Sequence, residues 1–86
     1  MILQYSAEAV KELKKLDRII QQQIKKYMTE ICGLEDPRIR GKGLKGNLAT
    51  FWRYRGGDYH IICDIQEDKM IILILRIGHG KEVYDK

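Results

Sequence analysis

The stretch FWRYRGGDYHIICDI, residues 51–65, constrains this chain more than any other. Two runs rich in aromatic and β-branched residues flank Gly56-Gly57, and a two-residue glycine loop between such runs predicts a β-hairpin. That loop pairs Arg55 with Asp58, Tyr54 with Tyr59, Arg53 with His60 and Trp52 with Ile61. Side chains alternate across a sheet. Trp52, Tyr54, Tyr59, Ile61, Cys63 and Ile65 therefore share one face, suited to a core. Arg53, Arg55, Asp58 and His60 share the other. The hairpin sets guanidinium groups beside an imidazole on an open face.

The rest of the chain supplies what that face needs behind it. Residues 66–69 (QEDK) make the next turn, and MIILILRI is apolar on both faces, as a central strand should be. Residues 2–5 read as an edge strand. Ser6 is a helix cap with Glu8 in the first turn. Val10, Leu13, Leu16 or Asp17, Ile20, Ile24, Tyr27 or Met28, and Ile31 follow a 3–4 spacing to about Leu34. Asp17 is a second cap in mid-run, which predicts two helices; one long helix is the alternative. Asp36-Pro37 stops the run, because the residue before proline avoids the α region. Residues 38–50, with Gly41, Gly43 and Gly46, read as a loop. The prediction is an α+β domain of order β-α-α-β-β-β, with two N-terminal helices on a four-stranded, mainly antiparallel sheet. At 86 residues with one proline, residues 1–86 read as a single domain.

Several classes are excluded. The run from Met70 to Leu75 is far short of the ~20 residues that span a bilayer, so no membrane role is expected. MILQYSAEAV has neither the basic start nor the apolar stretch of a signal peptide. Cys32 and Cys63 lie in apolar segments and read as buried thiols of a reducing cytoplasm. The two Cys and two His have no zinc-ligand spacing, and no metal or cofactor is expected. GKGLKG lacks the spacing and the Ser or Thr of a phosphate loop. No carboxylate pair fits glycoside or metal-assisted hydrolysis, and no Ser or Cys nucleophile sits beside a base.

The net charge is +4, and its distribution matters more than its size. Residues 1–36 and 65–86 are each neutral in sum. Residues 37–64 hold six cations (Arg38, Arg40, Lys42, Lys45, Arg53, Arg55) against Asp58 and Asp64. A basic segment between neutral ones is the footprint of a polyanion contact; a solvated loop and strand surface is the plainer account. Metal-free RNA cleavage asks for such groups. The neighbouring 2′-hydroxyl must lose a proton, the phosphorus oxygens gain charge, and the 5′-oxygen must be protonated. Guanidinium and ammonium groups serve the second task, His or a shifted Lys or Tyr the others, and an aromatic ring stacks on a splayed base. Arg53, Arg55 and His60 come from the hairpin. His79, Lys81 and Tyr84 follow the central strand, which antiparallel pairing returns to the start of the 59–65 strand. Lys42 and Lys45 precede the hairpin. All of these read as converging at one end of the sheet.

FWRYRGGDYHIICDI followed by LRIGHGKEVYD, with AEAVKELKKLD and LEDPRIRGKGLKGNL upstream, resembles the RelE/ParE superfamily of bacterial and archaeal toxins, and within it the RelE branch. The resemblance spans essentially the whole chain. It implies a microbial-RNase-like fold and a type II toxin that enters the ribosomal A site and cuts mRNA there. It implies as partners a small RelB-like antitoxin, acidic and folding on binding, and operator DNA reached only through that antitoxin. It implies that Arg53 and Arg55 contact RNA phosphates, that Lys45 belongs to the basic loop before the strand, and that Tyr84 stacks on or orients the substrate base. Lys81 and His79 lie in the same motif. Arg38, Arg40 and Lys42 join Lys45 and His79 as expected RNA or ribosome contacts.

Three positions depart from the family pattern. His60 and Gly80 stand where arginine is usual, and Gly56 where an aliphatic residue is frequent. The two arginines are the groups expected to stabilise the transition state, and losing one such donor commonly costs ~10²–10³ in rate. Three functions compete: an mRNA endoribonuclease, attenuated by His60 and Gly80; a ParE-like gyrase inhibitor on the same fold; and an inactive toxin that serves only as corepressor within the antitoxin complex.

Overall fold

The structure is a computed structural model that describes residues 1–44 and 51–79. Strand β1 (Ile2–Tyr5) leads into helices α1 (Ala7–Lys14) and α2 (Arg18–Cys32). A 3₁₀ turn at Pro37–Ile39 precedes the short strand β2 (Lys42–Gly43). Strands β3 (Phe51–Gly56), β4 (Tyr59–Gln66) and β5 (Ile71–His79) complete the order.

The helices form where the caps and the spacing place them. The Ser6 hydroxyl accepts the Ala9 N–H at 3.0 Å, satisfying a donor that the first helical turn leaves open. Residues 15–17 separate α1 from α2, so the αα-hairpin forms and the single long helix does not. Asp17 occupies the N-cap of α2 without a side-chain capping bond. Ala9, Leu13, Ile24, Met28 and Ile31 turn inward onto one face of the sheet, where Tyr54, Ile61, Cys63, Ile72, Ile74 and Ile77 meet them.

Among the described residues the sheet has five strands in the order β1-β5-β4-β3-β2, not the expected four. The additional strand, β2, lies inside the segment read as loop. Lys42 pairs with Arg53 and Gly43 with Trp52, antiparallel. β1 lies parallel to β5 at the opposite edge.

The hairpin register also differs from expectation. The turn is centred on Gly57-Asp58, with Gly57 at φ 61°. Glycine at the first central position is what a type II′ turn requires. The pairs are therefore Gly56–Tyr59, Arg55–His60, Tyr54–Ile61 and Arg53–Ile62. Arg55, not Arg53, stands opposite His60, and Asp58 lies in the turn rather than on a strand face. Moving the turn by one residue moves each partner by two, so the face assignment survives. Tyr54, Ile61 and Cys63 are fully buried.

A β-bulge divides β5. Ile62 pairs with Arg76 and Cys63 with Ile74, leaving Leu75 without a partner of its own. The extra residue changes the inward set from even to odd positions, so that Ile72, Ile74 and Ile77 are all buried.

Candidate RNA-contact site

On the face away from the helices, adjacent strands bring four basic side chains together. Lys42 stands opposite Arg53, and Arg55 opposite His60. Like charges placed directly across a sheet repel, so Lys42 beside Arg53 concentrates positive potential on this face. Among the described residues, no carboxylate pairs with Lys42 or Arg55. The Arg55 Nε donates to the Gly57 carbonyl at 3.0 Å, which aims its guanidinium along the hairpin tip.

His60 is held below the ordinary imidazole range, first by burial and then by the charges of Arg53, Arg55 and His79. The shift favours the neutral imidazole over the charged form. His79 lies at the end of β5 opposite Tyr59, with the two rings edge-on at 6.0 Å. The antiparallel return from β5 to the start of β4 thus forms as expected. Lys45, Gly80, Lys81 and Tyr84 lie outside the described residues.

Arg38 and Arg40 do not join this cluster. The Arg38 guanidinium pairs with Glu67 at 3.0 Å and lies 5.8 Å from the Trp52 ring centroid. Glu67 follows β4, at the opposite end of the sheet from His60. Arg40 stands 4.0 Å from Glu30, and its carbonyl accepts the Trp52 indole N–H at 2.6 Å. The expected footprint therefore splits into a cationic cluster of Lys42, Arg53 and Arg55 with His60, and a pair of arginines that tie residues 37–40 to the body.

The fold is shared with proteins of known class. The family model for the ParE toxin of the type II toxin–antitoxin system parDE matches residues 3–84. The chain belongs to this family of toxins. The mRNA interferase toxin RelE of Escherichia coli K12 is 28% identical over 87 residues, covering 98% of this chain and 90% of that protein. The toxin–antitoxin complex RelBE2 of Mycobacterium tuberculosis matches with a TM-score of 0.80 at 24% identity, covering 91% of this chain and 88% of its own. An E. coli RelE variant with two arginines changed to alanine matches at 0.78 and 28% identity, covering 96% and 88%. The same variant has been seen bound to an antitoxin RelB peptide.

In this ParE-family toxin two residues with structural partners of note escaped the sequence reading. Tyr27 of α2 joins Gly41, Lys42, Arg53, Arg55 and His60 in lining a cleft of ≈ 300 Å³. Its 3–4 spacing had marked it only as core. Glu12 of α1 drew no reading from the sequence. It grips Arg76 with both oxygens, at 2.9–3.2 Å, and accepts the Ile77 backbone N–H at 2.8 Å. No local pattern announces a partner 64 residues away. No helix among the described residues is long and apolar enough to cross a membrane.

Proposed function

We propose that this type II toxin is a metal-independent endoribonuclease that cuts mRNA in the ribosomal A site, with activity lowered by His60 and Gly80. The observation that carries the reading is the grouping of Lys42, Arg53, Arg55 and His60 on one open sheet face. Three permanent cations suit a phosphodiester. Charge-assisted bonds from guanidinium groups act on the oxygens where negative charge grows. Arginine stays protonated at neutral pH, so Arg53 and Arg55 stabilise charge and do not remove the 2′-hydroxyl proton. The neutral His60 imidazole can accept that proton, but it does not replace a guanidinium as a charge clamp. Lys81 and Tyr84 complete the proposed set, as leaving-group donor and base-stacking ring. Lys45 and His79 add contacts to RNA or ribosome.

The names of the relatives support RNA cleavage, since the E. coli protein of similar sequence is an mRNA interferase. The antitoxin-bound arginine-to-alanine variant supports a further point: this fold tolerates the loss of two arginines and still takes an antitoxin peptide. We propose an acidic RelB-like antitoxin as partner here, ordered on binding and steered by opposite charge. Operator DNA would be reached only through that complex, in the cytoplasm.

The test is single-turnover cleavage on programmed ribosomes. A slow, mapped cut in the A-site codon, lost in Arg53→Ala, supports the reading. The family model carries the ParE name, so gyrase is the control. Trapped gyrase–DNA complexes without mRNA cuts would establish the gyrase inhibitor instead. Neither effect, with operator binding intact in the antitoxin complex, would leave the corepressor.

A further inference from the structure

The cleft beside the cationic cluster has a wall that the cleavage chemistry does not use. Tyr27 reaches it from α2, in a cleft that Lys42 of the cationic cluster also lines. Part of the Tyr27 ring packs edge-on against Tyr54, centroids 6.3 Å apart and planes 73° to each other. Tyr54 is fixed in turn, its buried hydroxyl donating to the Pro37 carbonyl at 2.7 Å. The ring wall is therefore held by the core rather than by a loop.

Another part of the lining depends on Gly41. Its φ of +77° is left-handed, and a Cβ there would fall well inside contact distance of the Arg53 carbonyl oxygen and 2.9 Å from Tyr54 Cδ1. Glycine lets residues 41–43 lie flat against β3, which sets Lys42 directly across from Arg53. A half-buried aromatic ring, a lysine and two arginines around one small cleft match one chemistry best: a nucleobase with its phosphate.

We propose that the Tyr27–Lys42 end of the cleft is a subsite for the nucleotide flanking the scissile phosphate. Its base lies against the Tyr27 ring and its phosphate against Lys42 and Arg53. The proposal rests on the endoribonuclease reading and extends it from the reacting phosphate to a neighbouring base. Any base has a π-face, so the subsite raises affinity with little sequence preference.

The experiment measures binding of a short single-stranded RNA, made uncleavable by a 2′-deoxy sugar at the scissile step. It is read on the antitoxin-free toxin and on programmed ribosomes. Tyr27→Leu keeps apolar volume against Tyr54 and removes the ring; Tyr27→Phe keeps the ring. Tyr27→Leu is expected to weaken binding about 5- to 150-fold, the range for losing one stacked base, while Tyr27→Phe leaves it unchanged. An abasic nucleotide at the flanking position should erase the difference between Tyr27→Leu and the parent. Lys42→Ala should reduce the log–log salt slope by about 0.7.

The proposal is overturned if folded Tyr27→Leu binds as the parent does, or if it loses as much on abasic as on intact RNA. Weakening confined to an acidic antitoxin peptide would overturn it as well. The Arg53→Ala, Arg55→Ala double variant separates the two readings. If that variant binds RNA weakly and Tyr27→Leu does not, only the subsite falls. If it binds RNA as the parent does, or the parent binds none in either setting, the RNase reading falls with it.

Discussion

Glu12 and Ile77 are joined by a 2.8 Å hydrogen bond from the backbone N–H of β5 to a carboxylate oxygen of α1. β1 covers β5 only as far as Ile74, and Ser6 extends that cover, its hydroxyl donating to the Leu75 carbonyl at 2.9 Å. Beyond the bulge, no other strand among the described residues pairs with this edge. Glu12 takes over there, holding Arg76 through both carboxylate oxygens while it receives Ile77 N–H. One helical side chain thus ends the sheet edge and sets the direction of the segment that carries His79.

Glu12→Ala is expected to destabilise the fold by about 2 kcal/mol, because a half-buried N–H loses its acceptor along with a charge-assisted pair. Domains of this size shift by about 4–8 °C per kcal/mol, so thermal unfolding should report a fall on the order of 10 °C. Glu12→Gln keeps an oxygen for Ile77 and should lose roughly half as much. Equal melting temperatures for the alanine variant and the parent would show that solvent replaces Glu12 at this edge.

The strap at residues 37–43 gives a second prediction. Tyr54→Phe removes the donor to the buried Pro37 carbonyl and should cost about 1–3 kcal/mol in urea unfolding. Gly41→Ala places a methyl against β3 in a left-handed conformation, which costs ~1–2 kcal/mol before any clash is relieved. Both changes loosen the same strap. Their combined effect should be smaller than the sum, and strict additivity would show that Tyr54 and Gly41 act independently.

Much of this fold was legible because periodicity fixes faces. The stripe from Val10 to Ile31 foretold the helices, and alternation in β3 and β4 foretold which side chains enclose the core and which stay open. Register was less legible: Gly56-Gly57 and Gly57-Asp58 are both acceptable turns, and they give identical faces. β2 left no trace, since two residues, one of them glycine, cannot alternate. The bulge was hidden because Leu73, Ile74 and Leu75 are all apolar, so no polar residue marks where inward becomes outward. At the candidate site, Arg53, Arg55 and His60 followed from alternation alone. Tyr27 was lost among core positions of its helix. Arg38 was counted with the cations, because its partner Glu67 comes from a distant turn.

The titration of His60 provides a third prediction. Burial and the charges of Arg53, Arg55 and His79 lower its affinity for a proton. Its imidazole resonances should therefore titrate below the usual 6.5, and Arg55→Ala should move the midpoint upward. The sign for stability follows from linkage. Between the folded value and 6.5 the unfolded chain binds more protons, so this group's contribution falls as pH drops through that window. His60→Gln should flatten that part of the pH–stability curve. A His60 midpoint at or above 6.5 would remove the argument that it is neutral when the toxin acts.

The last prediction concerns His60 and Gly80, the two positions where the family resemblance implies arginine. His60 sits where Arg55 faces it across the hairpin, so a guanidinium restored there would enter an already cationic cluster and raise the positive potential over a bound phosphodiester. Charges meeting one transition state do not act additively. His60→Arg and Gly80→Arg should each raise the single-turnover cleavage rate on programmed ribosomes. Together they should raise it by more than the product of the separate gains, within a range set by ~10²–10³ for each transition-state donor. Folding should suffer slightly from the added like charge, which 0.5 M salt would largely screen. Equal rates for the parent and the double-arginine chain would sink the attenuation. A bell-shaped pH–rate profile in the parent, abolished by His60→Ala, would instead assign the imidazole a proton-transfer role with His79 as its counterpart.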